Sequence, residues 1–245
     1  MIVDYNKKYI FLGLYFSGSS AISKELIEQY GAETLFSKHT SIPFLQKSNE
    51  VDLKNFRIVA VVRDPIEMTF SLYNKMKTNH QNIYTDPKNL VSNGGWLTQK
   101  RYEIFKKVHF DQITFEQFLK LMFGLKKYNN DLSYNSKFIT DVIYFENLNA
   151  DFKKVFSNLG LEIVRDLQKF NITKKVAPEI SLSQKLKDKY FGNFYYYNST
   201  FFNSSFKPNL FSRTIFKIQV KLQLIKRLKY DEKLANKYTP TNYWD

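Results

Sequence analysis

The segment FRIVAVVR at residues 56–63 constrains the fold of this chain more than any other stretch. Isoleucine, alanine and three valines stand between two arginines, a pattern typical of a strand buried on both faces of a parallel sheet. A helix signal follows at once, with Asp64 as the N-cap, Pro65 in the first helical position and Glu67 in the third. A buried strand that leads directly into a capped helix predicts an α/β fold.

Strands and helices alternate on both sides of this segment. Apolar runs and apolar periodicity predict strands at 8–16, 33–38 and 139–148 and helices at 20–30, 113–125 and 149–161. Because strands that alternate with helices form parallel sheets covered by helices, we expect a three-layer fold with a central parallel sheet. We expect one α/β domain at residues 1–206, followed by a basic helical C-terminal extension at 207–245.

Composition limits the class of partner. The chain has 37 lysines and arginines against 23 acidic residues, a net charge of +14, which favours anionic partners or ligands. AT-rich coding, which enriches lysine, asparagine, phenylalanine and tyrosine, would account for the same excess. The lysines are scattered, which argues against nucleic acid. There is no cysteine and the three histidines are not spaced as ligands, so no metal site is expected.

The segment GLYFSGSS at 13–20 joins the first predicted strand to the helix that follows it. Its small residues allow a tight turn, and the backbone amides and the positive end of the helix dipole can bind a phosphate there. The hydroxyls of Ser17, Ser19 and Ser20 add donors. Serine stands where a nucleotide P-loop needs lysine, which argues against a Walker-type kinase or ATPase. Junctions of this kind are also common without any ligand.

Two further places at the expected carboxyl edge of the sheet carry polar side chains. Arg63 ends a buried strand and Ser71 follows on the next helix, so together they can bind one phosphate; a salt-bridged arginine at a strand end is the alternative. Lys38 and His39 follow the second predicted strand, on the side where α/β folds bind ligands. His39 is a candidate general base or, alternatively, a structural hydrogen-bond donor.

These elements, in this order, resemble the sulfotransferases that use 3′-phosphoadenosine-5′-phosphosulfate (PAPS), and most closely the carbohydrate sulfotransferase branch. The resemblance rests on the loop FSGSSAIS (16–23), the pair Lys38-His39 and the stretch VVRDPIEMTFSLY (61–73). Two later stretches extend it, TFEQFLK (114–120) and VIYFENLNADFKKVFSNLGL (142–161). It covers residues 8–165, and the Arg63–Ser71 element is its most specific part.

The resemblance implies a P-loop-like sulfotransferase fold and a sulfotransferase that moves a sulfuryl group from PAPS to a hydroxyl of a carbohydrate or glycan, without a metal. The residues that it implies for binding PAPS are Ser17, Gly18, Ser19, Ser20 and Ala21 for the 5′-phosphosulfate and Arg63 and Ser71 for the 3′-phosphate. His39 is then the expected base. Lys38 is the expected catalytic cation, with Lys24 as an alternative.

The chain departs from the family pattern at two positions. Phe16 stands where the family has a lysine that stabilises the leaving phosphate, and Met68 stands where a second arginine is usual in the 3′-phosphate motif. These two departures leave a second hypothesis open. In it the protein is a homologue that binds PAPS, or its product 3′-phosphoadenosine-5′-phosphate (PAP), with little or no transferase activity.

The C-terminal third carries weaker patterns. The aromatic stretch 190–206 either stacks on sugar rings or packs locally. In the basic segment 213–230, apolar residues recur at helical spacing, namely Ile215, Ile218, Leu222 and Ile225. This segment either is a tail helix that packs on the protein's own domain or lies on an anionic membrane surface. A basic module that binds membrane or nucleic acid is therefore the third functional hypothesis.

Two expectations concern the acceptor and the location of the protein. Residues 78–137 and 176–206 are expected to shape the pocket for the acceptor hydroxyl. The sequence shows no signal peptide, no apolar run long enough for a membrane span and no cysteine. A cytoplasmic location, with peripheral membrane contact through 213–230, is the corresponding expectation.

Overall fold

The computed structural model describes residues 1–168 and 182–236 and shows an α/β fold. The strands are β1 (Ile2–Asp4), β2 (Tyr9–Leu12), β3 (Glu33–Thr34), β4 (Arg57–Val62) and β5 (Asp141–Tyr144). Within the described ranges these five strands form one open sheet in the order β3-β1-β2-β4-β5. The α/β class predicted from the sequence is confirmed.

The sheet is mixed rather than parallel. Strands β2, β4 and β5 are parallel, with Leu12 opposite Ala60 and Val62 opposite Tyr144. Strand β1 is antiparallel to β2 and to β3, so the prediction of a parallel sheet is wrong there. The side chain of Asp4 accepts hydrogen bonds from two backbone amides of the turn that follows, which returns the chain into β2. Since β3 still runs in the direction of β2, four strands end at one edge.

Helices follow β2, β3, β4 and β5, whereas β1 leads directly into β2. The helices are α1 (Ser19–Tyr30), α2 (Ile42–Ser48), α3 (Pro65–Lys77), α4 (Gln99–His109), α5 (Phe115–Phe123), α6 (Leu132–Asn135), α7 (Leu148–Asn158), α8 (Gln184–Lys187), α9 (Asn193–Tyr197) and α10 (Leu210–Ala235). Helices α2 and α4 lie in stretches for which the sequence predicted neither a helix nor a strand. Helix α2 has only seven residues and α4 is mostly polar, so their apolar pattern is weak.

The residues form two units. The first comprises Met1–Arg63, Asn129–Phe170 and Phe194–Asp245, and the second comprises Asp64–Tyr128 and Asn171–Asn193. The domain boundary predicted after residue 206 stays a prediction. Two expected regions lie partly outside the described residues. These parts are residues 176–181 of the acceptor pocket and residues 237–245 of the C-terminal extension.

The first unit contains the sheet and its core. Helices α1 and α7 pack against one face of the sheet, where the buried residues include Tyr9, Phe11, Val59 and Val61. The alternate residues of β4 on the opposite face are buried as well. Strand β4 is therefore buried on both faces, as its continuous apolar run predicts.

The second unit is built around helices α3, α4 and α5. The Asp64 side chain caps α3 by accepting hydrogen bonds from two backbone amides of its first turn, and Thr114 and Gln117 form a capping box at the start of α5. Helices α3 and α5 meet through an aromatic cluster that contains Phe70, Tyr73, Phe115 and Phe118. None of the helices in the described ranges is both long and apolar enough to cross a membrane.

Candidate functional site

The loop between β2 and α1 turns tightly at the carboxyl edge of the sheet. Phe16 and Gly18 both have positive φ, +56° and +77°, which is ordinary for glycine and costly for phenylalanine. A Cβ at Gly18 would lie 3.0 Å from the ring of Phe145, and one at Gly13 would lie 2.7 Å from the Lys38 carbonyl oxygen. The loop therefore needs glycine at these two positions, because neighbouring groups approach them closely.

The loop serines divide into two roles. The hydroxyls of Ser17 and Ser19 are buried, and both donate to the Leu14 carbonyl oxygen, at 2.8 and 3.0 Å. These two side chains stabilise the turn. Helix α1 begins after Gly18, an N-cap residue that has no side chain to cap the first turn. The backbone amides of this turn, including that of Ser20, are the loop's donors for an anion.

Lys38 brings a cation to the first turn of α1. Its ammonium nitrogen donates to the Ser20 hydroxyl at 2.5 Å, and its aliphatic stem passes close to Gly13. The other candidate cation, Lys24, forms an ion pair with Glu28 one turn further along α1, at 3.6 Å. Of these two lysines, Lys38 is therefore the one whose ammonium group contacts the start of the helix.

His39 lies beside the loop in a fixed orientation. Its Nδ1 donates to the Gly13 carbonyl oxygen at 2.5 Å, because a carbonyl can only accept, so the neutral ring carries its lone pair on Nε2. The ring stacks on Tyr15 with 3.8 Å between centroids. Burial, together with the charges of Lys38 and Arg227, lowers the pKa of His39 from 6.5 to about 3. His39 is therefore neutral near pH 7.

Arg63 follows β4 and reaches back to the same loop. Its Nη1 donates to the Phe16 carbonyl oxygen at 3.1 Å, and its guanidinium lies 4.0 Å above the ring of Phe145. A guanidinium has five N–H groups, and the bond to Phe16 uses one of them. The loop 13–20 together with Lys38, His39 and Arg63 forms what we call the loop cluster.

The other half of the expected 3′-phosphate site lies in the second unit. Ser71 stands in α3 and is partly buried, and Arg63 belongs to the first unit. Their joint contact with one phosphate stays a prediction. Met68, also in α3, is buried, and its sulfur lies 3.6 Å from the hydroxyl of Tyr128. Met68 is thus part of the apolar interior of that unit.

Arg227 of α10 supports the loop cluster and was missed by the sequence prediction. It is buried, donates to the His39 carbonyl oxygen and lies 3.4 Å from the Tyr15 hydroxyl. Asp231, one turn away, forms an ion pair with it at 2.8 Å and accepts hydrogen bonds from the amide and hydroxyl of Ser41. The only signal in the sequence was an arginine and an aspartate four residues apart.

A groove of about 560 Å³ opens beside the end of β5 in the first unit. Its walls are the ring of Tyr144 and the segment 199–204, which supplies two phenylalanines, two serines, a threonine and an asparagine. Aromatic faces combined with hydroxyl and amide groups are suited to a small polar molecule that has an apolar face.

The function of the site is identified neither by a group of metal ligands nor by similarity to a known protein. Among residues 1–168 and 182–236, no group of three histidine, aspartate or glutamate side chains is arranged to hold a metal ion. No protein-family model matches the chain, and no curated protein or solved structure matches it either.

Proposed function

We propose that the protein is a sulfotransferase of the carbohydrate branch, with a three-layer, P-loop-like fold, that moves a sulfuryl group from PAPS to a hydroxyl of a glycan. The observation that carries the proposal is the convergence of two cations on one loop. The ammonium of Lys38 contacts the first turn of α1, and the guanidinium of Arg63 contacts the Phe16 carbonyl. A helix N-terminus with two cations beside it favours a polyanionic ligand.

The residues present fit PAPS by their chemistry. The loop amides, Ser20 and Lys38 would bind the 5′-phosphosulfate, and Arg63 with Ser71 would bind the 3′-phosphate. The bound PAPS supplies the sulfuryl group, whose sulfur leaves the bridging phosphate oxygen as it bonds to the acceptor oxygen. Lys38 stabilises the negative charge that develops on the leaving side and so replaces the lysine missing at Phe16.

His39 is the proposed general base. Its Nδ1 is bound to Gly13, so Nε2 is the nitrogen that accepts the proton of the acceptor hydroxyl. A pKa near 3 makes it a weak base in the unliganded protein. A polyanion at the loop favours the imidazolium form and so raises that pKa.

The groove beside β5 is the proposed acceptor site. Tyr144 immediately precedes Phe145, whose ring lies under the guanidinium of Arg63. A sugar offers an apolar face for stacking and several hydroxyls for hydrogen bonds, which suits the aromatic and hydroxyl groups of this groove.

A second function, PAPS or PAP binding with little transfer, is supported by two observations. The loop itself has Phe16 in place of a cation, and the pKa of His39 is far below the value that suits a general base near pH 7.

Single-turnover transfer from PAPS to a panel of glycans separates the two functions. Sulfated glycan, formed by the wild type and lost in Lys38→Met, supports the sulfotransferase. PAPS binding with no transfer to any glycan supports the binding protein. A wild type that neither binds nor consumes PAPS contradicts both.

A further inference from the structure

Helix α10 exposes a continuous apolar stripe. Five residues spaced four and three apart lie on one side of the helix and are 43–74% exposed: Phe211, Ile215, Ile218, Leu222 and Ile225. We call them the outer stripe. The first unit is contacted by the opposite side of the helix, where Phe216, Val220, Arg227 and Asp231 are buried. The helix therefore packs on the protein's own domain, as one of the two sequence-based alternatives has it, but through the side opposite to the isoleucine face.

Lysines border the outer stripe on both sides. At 100° per residue, Lys217 and Lys221 fall on one flank and Lys226 on the other, and all three are exposed. The acidic residues of the helix do not offset this charge, because Asp231 is buried and Glu232 pairs with Lys47 at 3.3 Å. An apolar band with lysines on both flanks is the pattern of a helix that lies in the plane of an anionic bilayer.

Charge complementarity indicates which kind of partner binds to this surface. Two copies of α10 paired through their outer stripes would bring the flanking lysines of both copies together, and like charges at flanking positions oppose such pairing. An apolar stripe gains nothing from a nucleic-acid backbone. A bilayer with anionic headgroups satisfies both features, since the apolar residues enter the acyl boundary while the lysines meet the headgroups.

We propose that the outer stripe of α10 binds the protein peripherally to anionic lipid bilayers. Helix α10 has 26 residues, so the stripe and its lysines can contact the bilayer together along several turns. This inference does not depend on the proposed sulfotransferase activity, and its test uses neither PAPS nor a glycan.

The test is flotation of the full-length protein with vesicles of phosphatidylcholine and phosphatidylserine, compared with phosphatidylcholine alone. We expect binding only to the mixed vesicles, weakened by added salt. Ile218→Gln with Leu222→Gln should lower the partition coefficient by roughly tenfold. The matched control, Leu125→Gln with Val164→Gln, changes two residues that are 98% and 74% exposed elsewhere and should leave binding unchanged.

A second pair of variants distinguishes attraction by the lysines of α10 from attraction by the net charge of the protein. The triple variant of Lys217, Lys221 and Lys226 to glutamine should weaken binding by about fivefold per lysine. The triple variant of Lys54, Lys100 and Lys120 to glutamine removes the same charge from other exposed sites and should have a much smaller effect.

Three outcomes would overturn the proposal. The first is no binding to the mixed vesicles. The second is equal weakening by the α10 variants and their controls, which would indicate attraction by net charge alone. The third is a wild-type dimer, seen by sedimentation, that Ile218→Gln with Leu222→Gln converts to a monomer without any vesicle binding, which would assign the stripe to a second copy of this chain.

Discussion

Two regions of the first unit collect positive charge, the loop cluster and the outward side of α10. In the loop cluster, Lys38 donates to Ser20 and Arg63 donates to the Phe16 carbonyl. On α10, Lys217, Lys221 and Lys226 are exposed beside an apolar stripe. One region has cations fixed by hydrogen bonds to a tight turn, and the other has cations on flexible side chains along a helix.

This difference separates two kinds of recognition. A lysine or arginine that is already ordered loses little further side-chain entropy on binding, so a fixed cation can select the geometry of a small anion. Exposed lysines respond to the summed negative charge of a surface and are screened by salt. The loop cluster is therefore expected to bind one ligand specifically, and α10 a class of surface.

The largest expected effect is that of a substitution at His39 in the loop cluster. In His39→Ala, turnover of PAPS should fall by about 10²–10⁴-fold, because the proposed base is lost, while PAP affinity changes little. Single-turnover kinetics and calorimetry measure the two quantities. Equal losses of turnover and affinity would mean that His39 only supports the loop through Gly13.

Replacing one lysine by methionine in each region tests whether the two groups of cations have different roles. Lys38→Met should lower turnover about 10²-fold, since it removes the cation proposed to stabilise the leaving phosphate. Lys221→Met removes an equal charge from α10 and should leave turnover unchanged. Introducing Phe16→Lys into the Lys38→Met variant should restore part of the lost rate. Fast transfer that is insensitive to Lys38→Met would place the catalytic cation elsewhere.

A smaller effect concerns pH and stability. The folded state lowers the pKa of His39 from 6.5 to about 3, so the unfolded chain binds the proton first as the pH falls. Because of His39, the free energy of unfolding therefore decreases as the pH falls below about 6.5. Between about pH 7 and 5 this loss is about 2 kcal/mol in the free energy of unfolding.

The variant His39→Gln tests this contribution. Its free energy of unfolding, measured by urea denaturation at the two pH values, should fall by about 2 kcal/mol less than that of the wild type. Identical pH dependence in the two proteins would contradict the lowered pKa. The result also tests the positive charge of the loop cluster, because the charges of Lys38 and Arg227 contribute to the lowered pKa of His39.

The parts of the fold that the sequence predicted well have local signals. Strand β4 is a continuous apolar run, and Asp64 and Pro65 mark the start of α3 within a few residues of it. Strand β1 was missed because three residues show no periodicity. Helix α4 was missed because its sequence, QKRYEIFKKVH, is mostly polar.

The candidate site was predictable in its parts but not in its contacts. Glycine, serine and a following helix identified the loop, because a tight turn needs those residues locally. The bonds of Lys38 to Ser20 and of Arg227 to His39 join residues that are far apart in sequence, so no local pattern reports them. For α10, apolar periodicity selected the outer stripe, whereas the buried side includes a charged pair, Arg227 with Asp231.

Calorimetry with PAP tests the central claim, that the loop cluster binds a phosphoadenosine ligand. The wild type should bind PAP. Arg63→Met should weaken binding by about 1.5–3 kcal/mol, the scale of a hydrogen bond to a charged group. Lys226→Met, which removes a cation from α10, should change the affinity by no more than about twofold. A wild type that gives no binding heat, or an Arg63→Met variant that is folded by circular dichroism and binds PAP as tightly as the wild type, would contradict the account.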